Sequence, residues 1–201
     1  MAPYDFALLA QEAYSAAPDI GSAAGASCAI VRDVEAGRVI AFPGTDSVAD
    51  LLTDFDVSTD TAPQLGPLHG GFWQAYAKIK DDILAAASGH IVYFVGHSLG
   101  AALAEIAAAD FVANGNSVGG VYAFAPPRIA PGSTVTTVLR ATPVYQYRKG
   151  NDIVPTVPPL WFHGSMCMIQ IGQAALPFPN LKDHELAGYI AALNNGQATS
   201  N

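Results

Sequence analysis

The residue best placed for chemistry is Ser98, which lies at the centre of a Gly-x-Ser-x-Gly sequence covering residues 96–100. Residues 91–95 before it are apolar, β-branched or aromatic, which predicts a buried strand. The Ala- and Leu-rich segment after it has no helix breaker before Asn114 and predicts a helix. Two glycines permit the sharp turn between them, with the serine hydroxyl exposed at its tip. This order predicts a nucleophile elbow, in which a serine attacks a carbonyl carbon.

A serine hydroxyl needs a base to take its proton, and the base needs an acid to orient it. On a strand–turn–helix scaffold these residues follow in the order Ser, Asp or Glu, His. Asp152 follows an apolar strand, where the carboxyl ends of parallel strands face a cleft. His163 and His184 lie downstream; position favours His184, at the start of the last helix, and His163 stays open as the alternative. His97 is expected to face away from the cleft.

The pattern of the whole chain predicts what positions these residues. Strands alternate with helices, which predicts an α/β fold with a mostly parallel central sheet covered by helices on both faces. We expect a single domain over residues 1–201. The predicted strands cover residues 28–34, 37–42, 91–95, 120–125, 143–149 and 166–171, and the predicted helices cover 4–16, 72–87, 99–113 and 183–193.

Composition excludes several classes of protein. The net charge of −8 disfavours nucleic-acid binding and gives no attraction to anionic membranes. No apolar run is long enough to span a membrane, and the first residues lack a signal-peptide pattern. We therefore expect a cytoplasmic protein, or the mature form of a secreted one. No obligate protein partner is evident.

Cysteines and histidines show no metal-ligand spacing, so no metal is expected. Cys28 and Cys167 each lie among apolar neighbours, which favours free buried thiols over one disulfide; the disulfide stays open. Residues 48–55 carry apolar side chains at helical spacing after a Pro-Gly turn. They predict either a helix packed on the core or a small lid.

Five segments in matching order resemble the fungal-type, class 3 lipases, a family of α/β-hydrolase serine esterases. They are Phe-Pro-Gly-Thr at 42–45, His-Gly-Gly-Phe with Ala-Tyr within 69–76, Gly-His-Ser-Leu-Gly at 96–100, Asn-Asp-Ile-Val-Pro with Pro-Pro within 151–159, and Asp-His with a tyrosine within 183–189. Pro43 stands where the family usually has arginine.

The resemblance implies an α/β-hydrolase fold with a minimal lid or none, and a catalytic triad of Ser98, Asp152 and His184. It implies that the N–H groups of Thr45 and Leu99 form the oxyanion hole, and that no cofactor is needed. His163, followed by glycine, matches a non-catalytic histidine of the family, which strengthens His184 as the base.

The implied substrate is a small-molecule ester or lipid, an acylglycerol or a short- or medium-chain ester, with at most transient contact with a lipid surface. Phospholipase A1 or acyltransferase activity on the same triad, and a catalytically silent binding module, are the alternatives. An acyl pocket is predicted from apolar residues near these segments, each of which could instead pack in the core. They are Leu160, Trp161, Leu176 and Phe178.

Overall fold

The computed structural model describes residues 1–22, 27–45 and 58–196, and the backbone of 198–199. Its strands are β1 (Ile20–Gly21), β2 (Cys28–Val34), β3 (Gly37–Phe42), β4 (Thr59–Ala62), β5 (Gly66–His69), β6 (Val92–His97), β7 (Gly120–Phe124), β8 (Val144–Lys149), β9 (Met168–Ile171) and β10 (Ala198–Thr199). Eight strands form one sheet in the order β1-β2-β3-β6-β7-β8-β9-β10, and β4 pairs with β5. Strands β3, β6, β7, β8 and β9 run parallel, which confirms the predicted mostly parallel sheet.

Helices cover both faces of this sheet. They are α1 (Pro3–Ser15), α2 (Gly70–Ala77), α3 (Lys80–Ala87), α4 (Leu99–Ala113), α5 (Thr134–Val138) and α6 (Leu186–Asn194). Alternate residues of a strand enter different cores: Ile40 packs with α2, α3 and α4, whereas Ala41 packs with α1 and α6. Because both faces are covered, the central strands are apolar without alternation. Helix α4 is buried over nearly its whole length, in keeping with its Ala-rich sequence.

The structure corrects several predicted boundaries. The helix expected over 72–87 is two helices, α2 and α3, separated at Lys78–Ile79. The last helix begins at Leu186, after a 3₁₀ turn at Lys182–His184. Cys28 is buried and outside any disulfide, as expected, but Cys167 is exposed, because it precedes β9 instead of lying within it. No disulfide joins the two.

Two further expectations concern the role of residues 48–55 and the presence of membrane-spanning helices. The alternatives of lid or core helix for residues 48–55 fall outside the described residues. Among the helices that are described, none combines the length and the apolar character needed to cross a bilayer.

Candidate active site

Ser98 lies between β6 and α4, with backbone angles of φ 57° and ψ −125°. This left-handed conformation is rare outside glycine and signals strain at the turn. The flanking glycines make it feasible: a Cβ on Gly96 would lie 2.2 Å from the Gly100 backbone, and one on Gly100 would lie 2.2 Å from the Phe42 carbonyl oxygen. The Ser98 N–H donates to the Phe124 carbonyl at 2.9 Å, which ties the turn to β7. The predicted strand–turn–helix elbow is therefore formed, but Ser98 is fully buried, whereas the sequence predicted an exposed hydroxyl at the tip of the turn.

Asp152 and His184 come together, although 32 residues separate them in sequence. His184 Nδ1 lies 2.9 Å from Asp152 Oδ2 and 3.1 Å from Oδ1. A carboxylate only accepts, so Nδ1 carries the proton of the neutral imidazole and Nε2 keeps its lone pair. Asp152 is fully buried, and two more donors hold its carboxylate: the Tyr189 hydroxyl on Oδ2 at 2.6 Å and the Val154 N–H on Oδ1 at 2.9 Å.

Ser98 Oγ and His184 Nε2 are both buried and have no hydrogen-bond partner within the part of the chain that the structure describes. The serine–base hydrogen bond is therefore not made in this structure. Such bonds are commonly long in unliganded sites and tighten once substrate binds. What the fold provides is a hydrogen-bonded Asp152–His184 pair next to the turn that carries Ser98.

His97, directly before Ser98, supports His184 in a way that the sequence did not predict. Its ring lies 4.6 Å from the His184 ring between centroids, and its Nε2 donates to the His184 carbonyl at 2.9 Å. His97 Nδ1 then accepts from the Tyr14 hydroxyl at 2.7 Å. Burial, and secondarily the nearby His184, hold the pKa of His97 well below its usual range. His97 is thus a neutral hydrogen-bonding residue beneath the pair.

The two predicted oxyanion donors lie after neighbouring strands. Phe42 of β3 pairs with Gly96 of β6. Thr45 lies three residues after Phe42, and Leu99 lies three residues after Gly96. Leu99 is the first residue of α4, where N–H groups lack an acceptor within the helix and carry the positive end of its dipole. Gly44 packs tightly behind this turn: a Cβ there would lie 2.1 Å from the Tyr14 hydroxyl oxygen.

His163 is separate from this cluster. Its carbonyl accepts from the Thr136 hydroxyl, and the neighbouring Phe162 bridges to Ala130. Burial, together with the positive charge of Arg128, lowers the pKa of His163 to about 4. Asp152 pairs with His184 and not with His163, which favours His184 over His163 as the base that the sequence predicts.

The four residues expected near an acyl chain are mostly on the surface. Leu160 is 91% exposed and Phe178 is 56% exposed, while Leu176 is also exposed. Trp161 is half-buried and contacts the His69 ring edge-on, with the centroids 6.0 Å apart. Core packing therefore does not account for Leu160, Leu176 and Phe178, which leaves apolar side chains available to a ligand.

Asp183, next to His184, joins the segments that carry the acid and the base. Its fully buried carboxylate accepts from Lys149 Nζ at 2.6 Å, from the Asn151 N–H at 3.0 Å, from the Ala175 N–H at 2.9 Å and from Asn180 Nδ2 at 3.0 Å. Burial alone would raise the pKa of Asp183, but these donors lower it to about 2. Nothing local in the sequence indicates this network.

A serine elbow on a mostly parallel sheet, with an Asp–His pair on later loops, defines the α/β-hydrolase class. Residues 39–162 match the family model described as Lipase (class 3), and the chain belongs to that family.

Known proteins resemble the chain over different lengths. It is 32% identical over 129 residues to the secreted mono- and diacylglycerol lipase A of Penicillium cyclopium, which covers 60% of this chain but only 42% of the relative. A solved mutant form of MDLA from Penicillium cyclopium superposes with a TM-score of 0.63 at 23% identity, covering 91% of this chain and 82% of the other. The Rhizomucor miehei triacylglyceride lipase gives a TM-score of 0.68 at 19% identity, with 90% of each chain covered. These two structures support the fold.

Proposed function

We propose that the protein is a serine carboxylic ester hydrolase that acts on acylglycerols or related short- and medium-chain esters. The observation that carries the proposal is the hydrogen bond from His184 Nδ1 to Asp152, which leaves Nε2 as a base next to the serine elbow. Membership of the class 3 lipase family supports the same reaction class. The relative from Penicillium cyclopium, named a mono- and diacylglycerol lipase, supports acylglycerols as substrates.

In the proposed reaction, Ser98 Oγ attacks the ester carbonyl carbon while His184 Nε2 takes its proton. Asp152 orients the imidazole and stabilises the imidazolium. His184 then protonates the departing alcohol, and an acyl-enzyme ester remains on Ser98. Water deprotonated by His184 attacks this ester, the acid leaves, and the Ser98 hydroxyl is restored. The chain's own residues supply every proton transfer.

The N–H groups of Thr45 and Leu99 are the proposed donors to the oxyanion of each tetrahedral intermediate. Losing one such donor typically raises the barrier by about 2.7–4 kcal/mol. The exposed Leu160, Leu176 and Phe178 are proposed, with Trp161, to contact the acyl chain or, transiently, a lipid surface. The relative's description as secreted favours a secreted protein in place of the cytoplasmic one expected by default.

The decisive test compares Ser98→Ala with Ser133→Ala, a control at an exposed serine. With p-nitrophenyl butyrate, we expect the first variant to lose turnover and labelling by a fluorophosphonate probe, and the second to keep both. Activity retained in purified, folded Ser98→Ala would refute the proposed nucleophile. A wild-type protein that neither turns over esters nor reacts with the probe would instead identify a silent binding module.

A substrate panel then defines the ester class. Monoacylglycerols, diacylglycerols, emulsified triacylglycerols, phospholipids and short p-nitrophenyl esters would be compared, with and without an alcohol acceptor. We expect acylglycerol hydrolysis to give the highest kcat/KM. A preference for phospholipids, or ester transfer that exceeds hydrolysis, would replace that expectation with phospholipase A1 or acyltransferase activity on the same triad.

A further inference from the structure

A pocket of about 260 Å³ contains none of the proposed catalytic residues. Two arginines line it, Arg128 after β7 and Arg148 on β8, together with side chains from two loops. Its polar walls are completed by Gln146, Thr156, His163 and Ser165. The volume is below that of usual drug-sized sites, so it suits a small ligand.

The two arginines lack carboxylate partners. Arg148 Nε donates to the Asp152 carbonyl at 2.9 Å, and Arg128 Nη1 donates to the Pro158 carbonyl at 3.1 Å. Over the described ranges, neither guanidinium has an acidic group within 4.0 Å. Both side chains are half-buried, and each keeps most of its N–H donors for another acceptor.

This lack of pairing is unusual for this chain, which has 17 acidic residues and only 9 Lys and Arg residues. Its other two half-buried arginines are paired: Arg32 with Glu12 and Asp19, and Arg38 with Asp33. Two unpaired guanidiniums on one pocket therefore form a local positive field in an acidic protein, and such a field attracts anions.

Three other titratable groups lie near the pocket. Asp152 holds Arg148 through its carbonyl, and its carboxylate is already engaged by His184, Tyr189 and the Val154 N–H. Burial raises the pKa of Glu105, which is hydrogen-bonded to Gln146 and to the Gly164 N–H, to about 7. The carboxyl is therefore partly protonated at neutral pH. His163 is neutral there, since its pKa is about 4. The Ser165 hydroxyl accepts from the Cys167 N–H at 3.2 Å and keeps its own proton to donate.

We propose that this pocket binds a phosphate group, as free phosphate or as a small phosphomonoester, between the guanidiniums of Arg128 and Arg148. Guanidinium presents a planar fork of donors that matches phosphate oxygens in pairs. The guanidinium groups of Arg128 and Arg148, together with the Ser165 hydroxyl, offer more donors than the two oxygens of a carboxylate can accept as separate pairs. This arrangement favours a tetrahedral oxyanion as the ligand. Arg148 also holds the Asp152 carbonyl, so the pocket adjoins the proposed catalytic site, but the binding of phosphate does not rest on the proposed ester hydrolysis.

Isothermal titration calorimetry of the full chain at pH 7.5 and constant ionic strength tests the proposal. The ligands are inorganic phosphate, glycerol 3-phosphate and acetate, with chloride as the background anion. We expect saturable one-site binding of the two phosphates and at least tenfold weaker binding of acetate. Comparing the two phosphates tells whether the site takes the free ion or an organic ester.

Variants test whether the heat measured by calorimetry comes from phosphate binding in this pocket. Arg128→Gln and Arg148→Gln are each expected to weaken phosphate binding at least tenfold, whereas Arg140→Gln, the same charge change at an exposed arginine, should alter it less than twofold. Should a glutamine variant fail to fold, Arg128→Lys or Arg148→Lys keeps the charge while losing the fork, and severalfold weaker binding is expected.

Ser98→Ala should bind phosphate as the wild type does, so that failure of the proposed hydrolase function would not affect this result. Three outcomes would each overturn the proposal: no saturable phosphate heat, equal weakening by Arg140→Gln, or acetate binding as tight as phosphate.

Discussion

At the scale of single residues, three donors hold the fully buried Asp152 carboxylate in place. His184, Tyr189 and the Val154 N–H all donate to it. Burial, and secondarily the charge of Asp152, raise the pKa of Tyr189 well above its usual range, so its hydroxyl remains a donor. Tyr189 therefore fixes the direction in which Asp152 presents its oxygens to the imidazole.

Replacing Tyr189 with phenylalanine should lower kcat/KM about tenfold and leave the KM for a short ester nearly unchanged. The change removes one charge-assisted hydrogen bond, typically worth about 1.5–3 kcal/mol, without creating a large cavity. Steady-state kinetics on p-nitrophenyl butyrate measure it. Tyr145→Phe is the control, because that ring is 39% exposed. Equal kinetics for the two variants would exclude a positioning role for Tyr189.

At the scale of elements, the loop after β8 and the turn before α6 are held together through Asp183. The carboxylate binds Asn151, one residue before Asp152, and precedes His184 in the chain. A Cβ on Gly150, whose φ is +49°, would lie 2.9 Å from the Asp183 carboxyl. The spacing between acid and base therefore depends on this buried contact.

Asp183→Asn should lower kcat at least tenfold, because it removes the charge that the Lys149 ammonium and three further donors share. Asp110→Asn is a matched control: Asp110 is also buried and pairs with a lysine, Lys80, at 3.1 Å, but it lies on α4 away from the elbow. Kinetics and urea denaturation should show comparable losses of stability and a kcat loss confined to Asp183→Asn. Parallel kcat losses would indicate a purely structural role.

The elements differ in how far the sequence could predict them. The elbow was predictable because its strand, glycines and helix are contiguous and each has a local signal. The contact of Tyr14 with His97 joins residues 83 positions apart, and no local pattern records it. The separation of α2 from α3 was missed because a continuous apolar stripe does not reveal a break in the backbone. Exposure of Cys167 was missed because a one- or two-residue shift in the start of β9 changes its surroundings.

At the scale of the whole molecule, several buried titratable groups respond to acid in opposite directions. The pKa of His97 and of His163 is lower than in an unfolded chain, so the unfolded state takes up more protons below about pH 6.5. Stability from these two groups is lost as the pH falls. The pKa of Glu105 is raised to about 7, so this carboxyl adds stability as the pH falls toward its unfolded value. The destabilising effect of His97 and His163 at acidic pH exceeds the stabilising effect of Glu105, so we expect acid to destabilise the fold.

The free energy of unfolding should therefore fall by about 1.4 kcal/mol per pH unit between roughly pH 6 and pH 5, the slope for one net proton. Urea titrations at several pH values measure it. His163→Asn should remove most of this slope, whereas His90→Asn, at an exposed histidine, should preserve it. An unchanged slope in His163→Asn would contradict the assignment.

The packing of α1 against the segment around Gly44 limits how far the amino end of this protein can be truncated. The family match begins at residue 39, yet the Tyr14 hydroxyl occupies the space that a side chain at Gly44 would fill, and it also anchors His97. A protein truncated to the matched residues 39–162 would lose the Tyr14 contact at its amino end and His184, the proposed base, at its carboxyl end. A fusion partner or purification tag at the amino end is best joined to α1 through a flexible linker, so that the helix keeps its packing against the rest of the protein.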